Sequence, residues 1–328
     1  MFKLTKAAAV GASLCLAASA SAVHAQDAFP SKPINVIIGF APGGPTDAIG
    51  RVVLNEMGKA LNVPMIVENR PGAGGNLATQ QVVRASPDGY TLLYAASSLA
   101  PATALYSSMK LNPKTQLDSA GCSVSVPLIL LTAKKLEARG PQAFFDSLKA
   151  SPDKYFLASS GTGSMDHLVA MEIGSMLGTQ FNHVPYRGNG PALTDVAAGN
   201  ADFMYSGAFS SALPFIQGGQ VTPLAVTSAK RSTALPDVPT LSESVPGLKS
   251  FEAGTWQALL APKGTPQAVL DKLDAALQKA LRDPKVQESL RFQAAEPMGR
   301  SRLECQQFVA NEYDRWAKTI ERLQLKVE

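Results

Sequence analysis

At 328 residues the chain is long enough for two compact domains or one large one, and its core is not limited by size. Hydrophobic residues make up 45% and charged residues 17%, while the 26 glycines and 23 prolines are scattered rather than periodic, which excludes a disordered or collagen-like chain. The net charge of +4 is spread along the chain without a basic run, so no nucleic-acid partner is expected.

In chain order, the first feature is a leader. Lys3 and Lys6 precede an apolar, small-residue run over 7–20, and Val23, His24 and Ala25 put small side chains where a signal peptidase selects them. The run is shorter than the roughly 20 apolar residues that span a bilayer, so residues 1–25 read as a signal peptide cleaved after Ala25. Leu14 before Cys15 stands where a lipid-anchored precursor needs a small residue, which argues against such an anchor. Cleavage would lower the net charge from +4 to +2, because Lys3 and Lys6 leave and no acid does.

The next segments repeat one pattern: an apolar run, a Gly and Pro loop, an amphipathic stretch. It predicts a strand over 34–40, a loop over 41–45 and a helix over 46–61, then a strand over 65–69, a loop over 71–76, a helix over 77–86 and a third strand over 91–96. After Pro127 the pattern restarts with a strand over 128–132, a helix through Phe144 and Leu148, a strand over 155–158, a loop over 159–164 and a helix over 165–177. Strands over 181–186, 203–206 and 224–227 alternate with a short helix over 192–198. A last strand over 256–261 precedes two helices, one striped by Val269, Leu270, Leu273, Leu277 and Leu281, the other by Cys305, Val309, Trp316 and Ile320. Such alternation predicts an α/β fold with helices on both faces of its sheets. If the chain crosses back near residue 250, it makes two α/β domains with a cleft between them: 26–125 with 249–328, and 126–248.

The mature chain keeps Cys122 and Cys305, too few for a zinc site and without CxxC spacing. Two readings stay open, a disulfide in an oxidising compartment or a core thiol at Cys305.

Two loops could carry chemistry. Pro42, Gly43, Gly44, Thr46 and Asp47 sit between a strand and a helix start, as do Ser160, Thr162, Gly163 and Ser164 in the second half. Glycines let the backbone approach a ligand, and free N–H groups at a helix start favour an anion. One such loop per half suits a ligand with a carboxylate at each end, held by the amides of Gly43, Gly44 and Gly163 and the hydroxyls of Thr46, Ser97, Thr162 and Ser164. The plainer reading makes Thr46 and Ser164 helix caps and the loops ordinary turns. Gly72, Gly74 and Gly75 resemble a dinucleotide fingerprint, but Leu77 occupies the third glycine position and no GxxxxGK[ST] occurs, so no nucleotide is expected. Asn76 either lines the cleft or caps the following helix.

An enzyme would need a base or nucleophile with a partner. The mature chain has two histidines, His167 and His183, and lacks HExxH and GxSxG. Asp166 and His167 are helix neighbours that point to different faces, so they do not form a triad. His167 reads as a polar contact near the cleft or a structural residue, His183 as structural. Neither catalysis nor a metal is expected.

The segments 29–33 (FPSKP), 39–47 (GFAPGGPTD), 67–76 (VENRPGAGGN), 87–93 (PDGYTLL), 184–195 (VPYRGNGPALTD) and 225–239 (AVTSAKRSTALPDVP) together resemble the Bug family, the periplasmic substrate-binding receptors of tripartite tricarboxylate transporters. The resemblance implies a two-lobed Venus-flytrap receptor in the periplasm, without a cofactor and monomeric, that binds a small organic acid and delivers it to membrane permease subunits. It also implies that the loops 41–47 and 160–164 act as pincers on a carboxylate, with Ser97 and Ser98 lining the cleft and Phe40, Asn76, His167 and Ser206 completing the site. Two departures stand out: Asp166 where the family often has a small or hydroxyl residue, and Ser206 where it often has an aspartate. The lost carboxylate at Ser206 leans the expected ligand away from amino acids, toward a second carboxylate or an apolar end. The alternatives are a secreted enzyme acting on a carboxylate and a receptor feeding a sensor.

Overall fold

The computed structural model describes residues 29–136 and 139–325, so the expected signal peptide and its cleavage site lie outside the described residues. From residue 32 onward the chain forms one compact unit. Its strands are β1 (Ile34–Ile38), β2 (Met65–Asn69), β3 (Thr91–Ala96), β4 (Leu117–Pro127), β5 (Ile129–Ala133), β6 (Phe156–Ser159), β7 (Asn182–Pro185), β8 (Phe203–Ser206), β9 (Val221–Val226), β10 (Gly254–Pro262) and β11 (Glu296–Pro297). The helices are α1 (Pro45–Leu61), α2 (Asn76–Val83), α3 (Leu99–Leu105), α4 (Pro113–Gln116), α5 (Pro141–Ala150), α6 (Met165–Leu177), α7 (Asn189–Ala198), α8 (Phe209–Gln217), α9 (Leu241–Ser244), α10 (Gln267–Leu281), α11 (Pro284–Phe292) and α12 (Arg302–Arg322). Among the described residues no helix is long and apolar enough to cross a membrane.

Two sheets carry the fold, in the orders β11-β4-β10-β3-β1-β2 and β7-β6-β8-β5-β9. In the first, β1 pairs parallel with β2 and β3, and β10 runs antiparallel to β3 and β4. In the second, β6 pairs parallel with β7 and β8, and β5 runs antiparallel to β8 and β9. The series β2-β1-β3-β10 therefore repeats as β7-β6-β8-β5, and it puts α1 and α6 in equivalent places. The apolar run of β1 is buried because neighbours flank it on both sides. α1 starts at Pro45, where a missing N–H is harmless, buries Ile49, Val53, Leu54, Met57 and Leu61 along one face, and ends at Asn62 in the left-handed conformation.

Several elements differ from expectation. β4 went unpredicted because LDSAGCSVSVP is rich in small residues of low strand propensity. Its smallness serves packing: a Cβ at Gly121 would come within 2.7 Å of Asp274 and Leu277 on α10. α3 and α8 contain Pro101 and Pro214, and α11 shows only Val286 and Leu290 as a buried stripe. The first strand stops at Ile38 rather than residue 40, since Gly39 leaves the sheet to pass against another backbone: a Cβ there would lie 2.7 Å from Gly75 Cα. Gly39→Ala is accordingly expected to lower the unfolding free energy by about 1–3 kcal/mol, the usual penalty of overpacking, read by urea denaturation.

The chain passes between the sheets at Leu128, between β4 and β5. Thr227 ties the return: its hydroxyl accepts from Leu128 N–H (2.9 Å) and donates to Ala253 O (2.6 Å). α12 binds both cores. Its Cys305 and Val309 pack with β4 and β10, while Trp316 and Ile320 join the cluster around Phe144 and Phe203, so the single stripe read from sequence serves two cores. Glu312 between them accepts from Trp256 Nε1 (3.0 Å) and Trp316 Nε1 (3.1 Å), and Arg315 pairs with Glu172 of α6 at 2.7 Å. Cys122 and Cys305 form a disulfide, Cα atoms 5.3 Å apart, which settles the open reading of the two thiols.

Candidate functional site

A cavity of about 290 Å³ lies at the carboxyl ends of β1, β3, β6 and β8, the place where open α/β sheets bind ligands. Phe40, Ser97 and Ser98, Ser160, and Gly207 to Phe209 follow those strands into its wall, joined by the first turns of α1 and α6 through Thr46, Ile49, Ser164, Met165 and Asp166. Val126, Leu128, Thr255, Trp256 and Gln257 close it from the strands that cross between the sheets. A larger hollow of about 940 Å³ is an open surface groove beside α1 and α11, edged by Arg51, Lys59 and Lys285; it lacks the convergent buried polar groups of the smaller cavity.

Of the residues expected at the site, Phe40, Thr46, Ser97, Ser98, Ser160 and Ser164 line this cavity. Pro42, Gly43, Gly44, Asp47, Asn76, Thr162, Gly163, His167 and Ser206 stand off its wall, for reasons visible in their bonds. Pro42 and Thr162 are exposed at the loop tips. The amides expected to hold the ligand are already engaged: Gly43 N–H donates to Asp47 Oδ2 (2.9 Å), Gly163 N–H to His167 Nδ1 (3.1 Å) and Gly44 N–H to Ala41 O (3.4 Å). Asp47 is buried against Arg51 (2.9 Å) and Asn69 (2.8 Å). Burial pushes its carboxyl up, but Arg51, the Gly43 amide and Asn69 outweigh that and hold it below the ordinary carboxylate range. Asn76 is fully buried and donates to Ala102 O (3.0 Å), a structural tie to α3. Ser206, also fully buried, donates to Asn189 (3.3 Å), which does line the cavity.

The amides that remain are the next ones along. Thr46 and Asp47 at the start of α1, and Met165 and Asp166 at the start of α6, have N–H groups with no intrahelical acceptor, as in any first turn. The wall adds the hydroxyls of Thr46, Ser97 and Ser210, and Gln257, a buried residue whose Oε1 finds no partner in the protein. Among the described residues no Lys, Arg or His stands in the wall. An anion there would be held by oriented neutral donors and helix dipoles.

Behind α6, His167 and His183 stack with ring centroids 3.9 Å apart, and His183 Nε2 meets Ser159 Oγ at 2.6 Å. Burial, with His183 alongside, pushes His167 down to about 4; burial also lowers His183, against the pull of Asp166. Ser159 is fully buried and off the cavity wall, so this Ser–His contact faces no ligand.

Sequence reasoning missed Asn189, Trp256, Gln257 and Asp166 as wall residues. Asn189 lies inside the 184–195 motif, and Asp166 entered only as a rejected triad partner and as a departure from the family; Trp256 and Gln257 looked like ordinary strand residues and carry no local signal.

Known proteins share this architecture. A family model described as "Tripartite tricarboxylate transporter family receptor" matches residues 49–325. The chain is 34% identical over 317 residues to protein BugT of Bordetella pertussis, covering 95% of each. Among solved structures it resembles the periplasmic binding protein BugD (34% identity, TM-score 0.74, 92% of this chain and 100% of that one). It also resembles MatC of Rhodopseudomonas palustris with bound malate (32% identity, TM-score 0.73, 89% and 100%). Its two mixed α/β sheets are those of the two-lobed periplasmic binding proteins, and the members of the family are solute-binding receptors rather than enzymes. On sequence, fold and the placing of its cavity, the chain belongs to the tripartite tricarboxylate transporter family of receptors.

Proposed function

We propose that this chain is a periplasmic receptor, exported and cleaved after Ala25, that closes on one small organic carboxylate in the cavity and delivers it to the permease subunits of a tripartite transporter. In this reading residues 26–125 with 249–328 form one lobe and 126–248 the other, and the receptor works as a monomer whose lobes close by a hinge motion around Leu128, Thr227 and Ala253. Thr46, Ser97, Ser98, Ser160 and Ser164 line the ligand. The observation that carries it is the convergence of two helix starts, α1 and α6, on one cavity walled by hydroxyls and, among the described residues, without cationic side chains. The size suits a small acid, and the related MatC holds malate.

A thermal-shift panel of organic acids, amino acids and sugars tests this directly, since a ligand that binds only the native state raises the melting temperature. A saturable shift with carboxylates and unaltered ligand recovered afterwards is expected; a shift with sugars alone, or none, sinks the reading. For a carboxylate so found, Thr46→Val removes a hydroxyl donor to a charged group, worth about 1.5–3 kcal/mol, and is expected to weaken binding roughly tenfold or more in calorimetry.

A further inference from the structure

The two helix starts that meet at the cavity are built alike. In each, a glycine at positive φ, Gly43 or Gly163, donates its N–H to the side chain four residues on, Asp47 or His167. The residue just before that acceptor lines the cavity: Thr46 in α1, Asp166 in α6. Equivalent positions thus present a hydroxyl at one end of the cavity and a carboxylate at the other.

The two acids of these first turns differ in surroundings. Asp47 is turned away from the cavity and neutralised by Arg51. Asp166 is 5% exposed, lines the cavity and, among the described residues, is hydrogen-bonded by Ser160, whose N–H donates to Oδ2 (2.5 Å) and whose Oγ donates to Oδ1 (2.6 Å). Among the described residues no Lys or Arg pairs with it. His183, which feels its charge, is held below its ordinary value by burial and is therefore mostly neutral at neutral pH. A carboxylate has room for about four hydrogen bonds, so Asp166 keeps acceptor capacity after both bonds from Ser160. The neighbouring hydroxyls are spent as donors too: Ser164 Oγ donates to Gly161 O (2.5 Å). Both helix starts offer the free N–H groups of their first turns, but the α6 side sets the Asp166 carboxylate beside them, while the α1 side adds the hydroxyls of Thr46 and Ser97 and no carboxylate in the wall.

We propose that Asp166 sets the specificity of this receptor: it selects a small acid with one carboxylate, seated at α1, whose far end carries an O–H or N–H donor that bonds Asp166. This rests on the reading of the cavity as a carboxylate site. It reverses the lean drawn from Ser206, because Asp166 restores on another element the carboxylate that Ser206 lacks. A second ligand carboxylate at α6 would face Asp166 across a desolvated gap, and like charges so placed are strongly disfavoured.

The test is calorimetry on the mature wild-type protein with acids matched in length, run from three to eight carbons: each dicarboxylate beside the monoacid ending in a hydroxyl, an amide or an ammonium. The wild type is expected to bind the best donor-ended acid about tenfold or more tighter than the dicarboxylate of equal length. In Asp166→Asn, which keeps an oxygen acceptor for the Ser160 amide, that ratio is expected to fall to parity or reverse. If no acid of either series binds, the carboxylate-receptor reading itself fails, and this proposal with it. If dicarboxylates bind the wild type as well as or better than their partners, the role of Asp166 is overturned while the receptor reading stands. An unchanged ratio in folded Asp166→Asn overturns it as well. The wild-type ratio needs no variant, so misfolding of the variant leaves the test intact.

Discussion

Replacing Cys122 and Cys305 together by alanine is expected to lower the unfolding free energy by about 5 kcal/mol, the chain-entropy value for a bridge across 183 residues. Both residues are fully buried, and the bridge fastens β4, paired between β11 and β10 in the first sheet, to the first turn of α12. α12 then carries Glu312, Arg315 and Trp316 to the place where the chain crosses between the sheets. Releasing the bridge enlarges the unfolded ensemble and also frees this helix, so the urea midpoint should fall while the slope rises with the extra surface exposed on unfolding. A loss below about 1 kcal/mol would mean that packing of Val309, Trp316 and Ile320 alone holds α12 in place. Because the tie lies outside the cavity, carboxylate affinity measured well below the new melting point should stay within about threefold of wild type, a change under 1 kcal/mol.

Much of this fold could be read from residue pattern. The strands Met65–Asn69, Thr91–Ala96 and Phe203–Ser206 and the helix Met165–Leu177 have the bounds expected, because apolar runs and 3.6-residue stripes there end at Gly, Pro or polar turns. β4 escaped since small residues that let α10 and α12 approach do not look like a strand. The site was legible in part for a related reason. Loops between strand and helix advertise themselves by Gly, Ser and Thr, which is why Thr46, Ser160 and Ser164, expected from those loops, stand in the cavity wall. Which of their groups face a ligand depends on bonds made within each loop, and these took the amides of Gly43 and Gly163 out of play. Gln257 and Trp256 reach the cavity only because β10 crosses beside β3, a pairing between residues about 160 apart in sequence that no local pattern encodes.

Acid is expected to weaken this protein before its carboxylates titrate. In the folded state His167 resists protonation down to about 4, through burial and then the neighbouring His183, whereas in the unfolded chain it takes a proton near 6.5. Between those values the unfolded state binds more protons, so stability is full above pH 6.5 and falls steadily toward pH 4, by on the order of 3 kcal/mol. His183, lowered by burial, acts in the same direction, and the depressed carboxyl of Asp47 adds its own loss only below about pH 4. The consequence reaches the cavity. A proton on His167 Nδ1 removes the acceptor of Gly163 N–H and places charge against the stacked His183 ring, loosening the loop that presents Ser160 and Ser164. Ligand affinity, a property of the folded state, should therefore hold through the window in which stability falls and decline only as the pH approaches about 4. His167→Gln, which cannot charge and keeps an oxygen for the Gly163 amide, should flatten the stability profile above pH 5. Urea denaturation at half-unit steps from pH 7.5 to 4.5 decides it: a wild-type stability that does not change between pH 6.5 and 5 would show that the histidine pair is solvated and charged, and that the loop is held by other means.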